Sequence, residues 1–264
     1  MIHEQFDLSG KTALITGAGS GLGRAMSLAL ADCGADIVGA ARRLEPLEES
    51  KGMVEEKGRR FTVITCDATN SEQVNAMVAE AISEHGRIDV LINNAGGGGA
   101  GRGKTLPELT DEDWQEGMDT NLTSAFYCSR AIVEHYMENG GGRIINVTSG
   151  WGFRGGRGNF MYSISKGGVI QLTKALAMTY ARDNIQSTCI APGWVPYRAD
   201  EEMKREQGPK QPIGRVGDAE DIGAVAVYLC SESARYMSGE TVLVDGGAIA
   251  GGLIPAGIAP VAEG

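Results

Sequence analysis

Short β-branched runs alternate with longer helix-compatible stretches along almost the whole chain, and this alternation constrains the fold more than any single motif. The runs cover 12–16, 36–41, 61–65, 88–93, 143–148, 186–190 and 241–244, and helical patterns fall near 22–33, 44–58, 71–85, 110–138, 161–182 and 218–231. Strand, helix, strand in steady order predicts a parallel sheet, because parallel neighbours need a crossover between them. Ala13-Leu14-Ile15 and Val90-Leu91-Ile92 are apolar at successive positions, as burial of both faces requires. The expected fold is α/β: a doubly wound parallel sheet of about seven strands with helices on both faces. A chain of 264 residues, 42% of them hydrophobic, is long enough for one substantial core. We expect a single domain over 1–250 and a tail over 251–264, whose Leu253, Ile254 and Ile258 would be costly to expose together and are expected to pack on a neighbouring subunit.

The 34 acidic and 24 basic residues give a net charge of −10, which argues against nucleic acid or an anionic membrane as the main partner and for a small molecule. Cys33, Cys66, Cys128, Cys189 and Cys230 form no C-x-x-C pair, and His3, His85 and His135 lack ligand spacing, so no metal site is assigned. The N-terminus is acidic and no apolar run reaches the length of a membrane span, so a cytoplasmic location is expected.

In doubly wound sheets ligands bind at the carboxyl ends of the strands, and the notable motifs fall there. Thr16-Gly17-Ala18-Gly19-Ser20-Gly21-Leu22-Gly23 follows the first strand and opens a helix. Its spacing is G-x-x-x-G-x-G, and glycines at such a turn let backbone amides approach a pyrophosphate at the positive end of the helix. At the end of the second strand, Ala40-Ala41-Arg42-Arg43 offers no acid for a ribose 2′-hydroxyl and two arginines for a 2′-phosphate. That favours NADP(H), with NAD(H) as the other possibility. Further on, Tyr162 and Lys166 lie one helical turn apart, and Ser149 stands thirteen residues before the tyrosine. On one face, the lysine is expected to approach the phenol oxygen and favour a tyrosinate. A tyrosine and a lysine at this spacing also arise on ordinary amphipathic helices, so the weight rests on the rest of the chain.

Taken in order, these segments resemble a classical short-chain dehydrogenase/reductase over nearly the whole length. Gly17, Ser20, Gly21, Leu22 and Gly23 match the cofactor loop; Asp67 and Ala68 match the adenine contact; Asn94, Ala95 and Gly96 belong to the motif after the fourth strand. Asn121, Ser149, Tyr162 and Lys166 match the catalytic positions, Pro192, Gly193 and Val195 the turn beside the nicotinamide, and Asp245-Gly246-Gly247 the ending after the last strand. The resemblance implies a single-domain Rossmann-type enzyme, usually a homotetramer, that interconverts a carbonyl and an alcohol. It implies Tyr162 as general acid/base, Ser149 as hydrogen-bond donor to the same oxygen, Lys166 on the nicotinamide ribose, and Asn121 holding a water that links Lys166 to solvent. Tyr197 stands where many members have threonine near the carboxamide.

Trp151, Phe153, Arg154 and Arg157 lie between Ser149 and Tyr162, and Trp194, Tyr197 and Arg198 begin a short covering loop over 197–212. Some of these are expected to wall the pocket, and the arginines suit an acidic substrate. Ketoacyl thioesters, sugars or sugar acids, and cyclic ketones are the substrate candidates. A dinucleotide-binding regulator without turnover is the alternative, which the complete set of Asn121, Ser149, Tyr162 and Lys166 argues against. An extended nucleotide-sugar epimerase or dehydratase is disfavoured by the chain length.

Overall fold

The computed structural model describes residues 2–196 and 200–250. The strands are β1 (Thr12–Thr16), β2 (Asp36–Ala41), β3 (Phe61–Thr65), β4 (Val90–Asn93), β5 (Gly142–Val147), β6 (Ile185–Pro192) and β7 (Thr241–Val244). The helices are α1 (Gly21–Asp32), α2 (Leu44–Glu55), α3 (Ser71–His85), α4 (Asp111–Met118), α5 (Ser124–Glu138), α6 (Phe160–Tyr180), α7 (Glu201–Gln207) and α8 (Ala219–Cys230). All strands run parallel in the order β3-β2-β1-β4-β5-β6-β7. The chain reverses direction across the sheet between β1 and β4, and the carboxyl ends of these two strands open the crevice that such a switch creates.

Two buried apolar clusters lie on the two faces of the sheet. Met26 and Leu30 of α1, Leu47 and Val54 of α2, and Ile222 and Ala226 of α8 pack with Ile15, Ile37 and Ile92. Val74, Met77 and Val78 of α3 and Cys128, Ile132 and Tyr136 of α5 pack with Leu14, Val38 and Leu91. Adjacent residues of one strand thus enter opposite clusters, which accounts for the unbroken apolar runs.

Two elements differ from the sequence expectation. The helix expected over 110–138 is divided: α4 and α5 are joined by a π-helical turn, Asp119–Thr123, in which the Ser124 N–H reaches the Asp119 carbonyl. The Asn121 amide donates to the Gly117 carbonyl four residues back (3.1 Å), so a side chain takes an acceptor that the α-helical ladder would have used. The expected loop over 197–212 contains α7, whose first turn is capped by the Asp200 carboxylate accepting from Met203 N (2.8 Å). No residue of α7 is buried, so it has no apolar period to read. Among the described residues, no helix is long and apolar enough to cross a membrane. Residues 251–264, Tyr197 and Arg198, and the expectations attached to them, lie outside the described residues.

Candidate active site

A cleft of about 680 Å³ runs along the carboxyl ends of the central strands. Its floor begins at the glycine loop, which is held from below. Gly17 N and Ala18 N donate to the Ala40 carbonyl at the end of β2. The Ser50 hydroxyl donates to the Ala18 carbonyl (3.0 Å) and the Arg24 guanidinium to the Gly19 carbonyl (2.6 Å). Arg24 is itself fixed by Ser50 and by Glu49. Gly17, Ser20, Gly21 and Leu22 line the cleft, whereas Gly23 does not. Gly23 lies beneath the turn, where a Cβ would overlap the Gly17 carbonyl. Its role is to let α1 approach the loop, not to touch a ligand.

Beside the loop, Arg42 and Arg43 line the cleft with Asp67 and Ala68. Both arginines are exposed, and neither makes a hydrogen bond or ion pair among the described residues. The Asp67 carboxyl is held below the ordinary carboxylate range, first by the Thr69 N–H, then by the Thr69 hydroxyl and by the charge of Arg42. This end joins free guanidinium groups to backbone amides, a donor set suited to phosphates. Asn94, Ala95 and Gly96 form the opposite wall. The Thr16 hydroxyl accepts from both Asn94 N and Ala95 N at 3.0 Å, and the Asn94 amide returns a bond to the Thr16 carbonyl. Pro192, Gly193 and Val195 line the far end. The volume, the loop amides and the free arginines fit a nicotinamide dinucleotide.

Ser149, Tyr162 and Lys166 gather where this cleft ends. The Thr148 hydroxyl donates to the Lys166 carbonyl (2.6 Å), and the turn after Ser149 packs on α6 so closely that a Cβ on Gly152 would lie 2.8 Å from that carbonyl oxygen. The Ser149 hydroxyl thereby lies on the same cleft wall as the Tyr162 phenol, near enough to act on its acidity. The lysine lies beside the tyrosine as expected, without a hydrogen bond to the phenol oxygen. The Lys166 ammonium donates to the Val147 carbonyl (2.9 Å) and sits 5.7 Å from the centre of the Tyr162 ring. A shared helix face brings the two side chains together, but the ammonium, 4% exposed at the residue level, turns to the acceptor at the end of β5. Burial raises the Tyr162 pKa above its ordinary value, opposed by the neighbouring Ser149 hydroxyl. Burial also lowers Lys166 from 10.5 to about 8.

Asn121 lies behind the cleft. Its amide donates to the Gly97 carbonyl (2.9 Å) and accepts from Gly97 N (3.0 Å). A Cβ built on Gly96 would be 2.8 Å from Asn121 Oδ1 and 3.1 Å from Lys166 Nζ, so both groups face one small space. Trp151, Phe153, Arg154 and Arg157 do not line the cleft; the Arg154 guanidinium stacks on the Trp151 ring at 4.5 Å. Trp194 faces a separate hollow of about 350 Å³ with Gln211, Ile213 and Leu243. Sequence reading missed Thr16, Ser50 and Thr148, which brace the site through single hydroxyls, and Thr120, which lines it. Thr16 alone carried a signal, as the last residue of β1 before the glycine turn.

Comparison with known proteins agrees with this geometry. The family model described as enoyl-(acyl carrier protein) reductase matches residues 17–248. The chain is 39% identical over 252 residues to 2-dehydro-3-deoxy-D-gluconate 5-dehydrogenase of Bacillus subtilis, covering 93% of this chain and 97% of that one. It is 34% identical over 245 residues to a 3-oxoacyl-(acyl carrier protein) reductase of Vibrio cholerae, covering 91% and 98%. A solved structure of 7α-hydroxysteroid dehydrogenase with NADH and 7-oxo glycochenodeoxycholic acid superposes with a TM-score of 0.86 at 29% identity, covering 92% and 96%. With its seven-stranded parallel sheet and a match over most of its length, the chain belongs to the short-chain dehydrogenase/reductase family of oxidoreductases.

Proposed function

We propose that the protein interconverts a ketone and a secondary alcohol with NADP(H), using Tyr162 as general acid/base. The observation that carries this is that Ser149, Tyr162 and Lys166 line one cleft with the glycine loop and with Arg42 and Arg43. The glycine loop, Arg42 and Arg43 would hold a nicotinamide dinucleotide here, which would supply or accept the hydride. In reduction the neutral phenol of Tyr162 gives its proton to the carbonyl oxygen, and in oxidation the same oxygen takes the proton back. Ser149 donates a hydrogen bond to that oxygen as negative charge develops on it. Lys166 holds positive charge beneath the phenol, and a ribose hydroxyl would share its donors with the Val147 carbonyl. A panel of neutral ketones and keto acids, followed by the absorbance of the reduced nicotinamide, tests the reading. Dinucleotide binding without turnover of any of them would support the regulator instead.

The coenzyme preference is tested separately. The Arg42→Ala/Arg43→Ala variant is expected to weaken NADP⁺ binding ~10–100-fold, the loss of one or two charge-assisted phosphate contacts, and to leave NAD⁺ binding unchanged. Fluorescence titration with both dinucleotides checks this; equal losses would remove the 2′-phosphate assignment.

For the substrate we favour a polar ketone of the sugar-acid type. The name of the B. subtilis relative supports it. For the assembly we favour a homotetramer. Phe126 and Met137 of α5 and Ile164 and Met178 of α6 are 43%, 51%, 44% and 82% exposed in the single chain, apolar area that association would cover. Sedimentation equilibrium is expected to give the mass of four copies; the mass of one copy at every concentration would overturn the assignment.

A further inference from the structure

We propose that Gly98 sets the size of the group the substrate carries on its reacting carbon, and that Gly97, Gly98 and Gly99 lack side chains to keep that space open. The inference rests on the ketone/alcohol reading of the cleft. Glycines in the segment after Ala95 fall into two kinds. Some are required by the fold. At Gly96 a Cβ would crowd Asn121 and Lys166; Gly101, at φ 60°, would overlap Leu109; Gly103 has φ 84° and donates its N–H to the Gly158 carbonyl.

The three between them are of the other kind. None has a positive φ. A Cβ on Gly97 or Gly99 would meet nothing within 4 Å, and the nearest atoms to one on Gly98 would be those of the Tyr162 ring at 3.6–3.8 Å, an ordinary contact. Backbone and packing would therefore accept alanine at all three. Glycine in place of alanine at such positions costs stability through the freedom of the unfolded chain. Nor is the segment merely slack, since Asn121 holds Gly97 by both its N–H and its carbonyl.

What distinguishes Gly97 and Gly98 is their place. Gly97 lines the cleft together with Ser149 and Tyr162, and Gly98 lies over the ring of the proton donor. A carbonyl oxygen that reaches both hydroxyls directs one substituent of its carbon toward this bare stretch of main chain. A side chain there would take the volume of that substituent. The site thus admits ketones and alcohols with an extended or cyclic group on this side, beyond the methyl of a methyl ketone.

The test compares the wild type, Gly98→Ala and Gly98→Val with a methyl ketone and a cyclic ketone of the same charge. In Gly98→Val, kcat/KM for the cyclic ketone is expected to fall about tenfold or more relative to the methyl ketone, with Gly98→Ala intermediate and the Kd for NADP⁺ unchanged. Equal losses for both ketones, a weakened NADP⁺ complex or unaltered kinetics would overturn the inference. A wild type that turns over neither ketone would refute the ketone/alcohol reading on its own. Calorimetric binding of the same compounds to the protein–NADP⁺ complex then still decides, because exclusion of the larger one by valine supports the role of Gly98 and equal binding refutes it.

Discussion

Replacing Tyr162 with phenylalanine is expected to lower kcat by ~10²–10⁴-fold while leaving the Kd for NADP⁺ and the melting temperature close to those of the wild type. The loss corresponds to ~3–5 kcal/mol of barrier, the share that a positioned proton donor supplies. The remaining terms are spared for separate reasons. In the proposed reading coenzyme affinity depends on the glycine loop and on Arg42 and Arg43, which line the same cleft. Packing depends on the ring, which phenylalanine retains beneath Gly98. Among the described residues the phenol oxygen makes no hydrogen bond that phenylalanine would forfeit, and the neighbouring Ser149 hydroxyl keeps Trp151 N as a partner at 3.3 Å. Steady-state rates on the best substrate of the panel, with a coenzyme titration, read the two effects apart. A variant within ~10-fold of the wild type in kcat would remove Tyr162 from proton transfer, and a parallel loss of NADP⁺ binding would make its role structural.

The chemistry at this site was legible because it is written at strand ends. Gly17 to Gly21, Arg42-Arg43, Asn94 to Gly96 and Pro192-Gly193 each follow a short apolar run, and a parallel sheet brings such positions to one edge. The regular strands and the core helices were legible for the same reason, since burial imposes a period. What was not legible depends on partners distant in sequence. Nothing local indicates that Thr148 will clamp the Lys166 carbonyl, that Ser50 will brace the glycine loop from α2, or that Asn121 will latch Gly97 and break its own helix. Helix α7 was hidden because an exposed helix of seven residues leaves no apolar stripe. The lysine was read on the tyrosine's face, but its Val147 acceptor was not, because spacing gives direction and only the fold supplies the acceptor.

That lysine yields the second large effect, in which activity and stability move in opposite directions. Lys166→Met is expected to reduce kcat ~10²-fold or more, as positive charge beneath the phenol is lost, yet to gain stability relative to the wild type at neutral pH. The ammonium is buried with one described hydrogen bond, to Val147, and its pKa falls from 10.5 to about 8, a cost of ~3 kcal/mol for keeping it charged. Because the folded value lies below the unfolded one, the unfolded chain binds more protons between the two. Wild-type stability from this group therefore rises with pH from about 8 to 10.5 and carries the full penalty below 8. Methionine has no such dependence. Urea unfolding of both proteins from pH 6 to pH 10 should show a gap in favour of the variant that is constant below pH ~8 and shrinks by ~3 kcal/mol as pH approaches the unfolded value. The orphaned Val147 carbonyl shifts that gap by a constant and leaves its slope untouched. A gap that does not change with pH would mean that Lys166 is not the strained, buried cation its surroundings imply, and the charge beneath Tyr162 would then need another source.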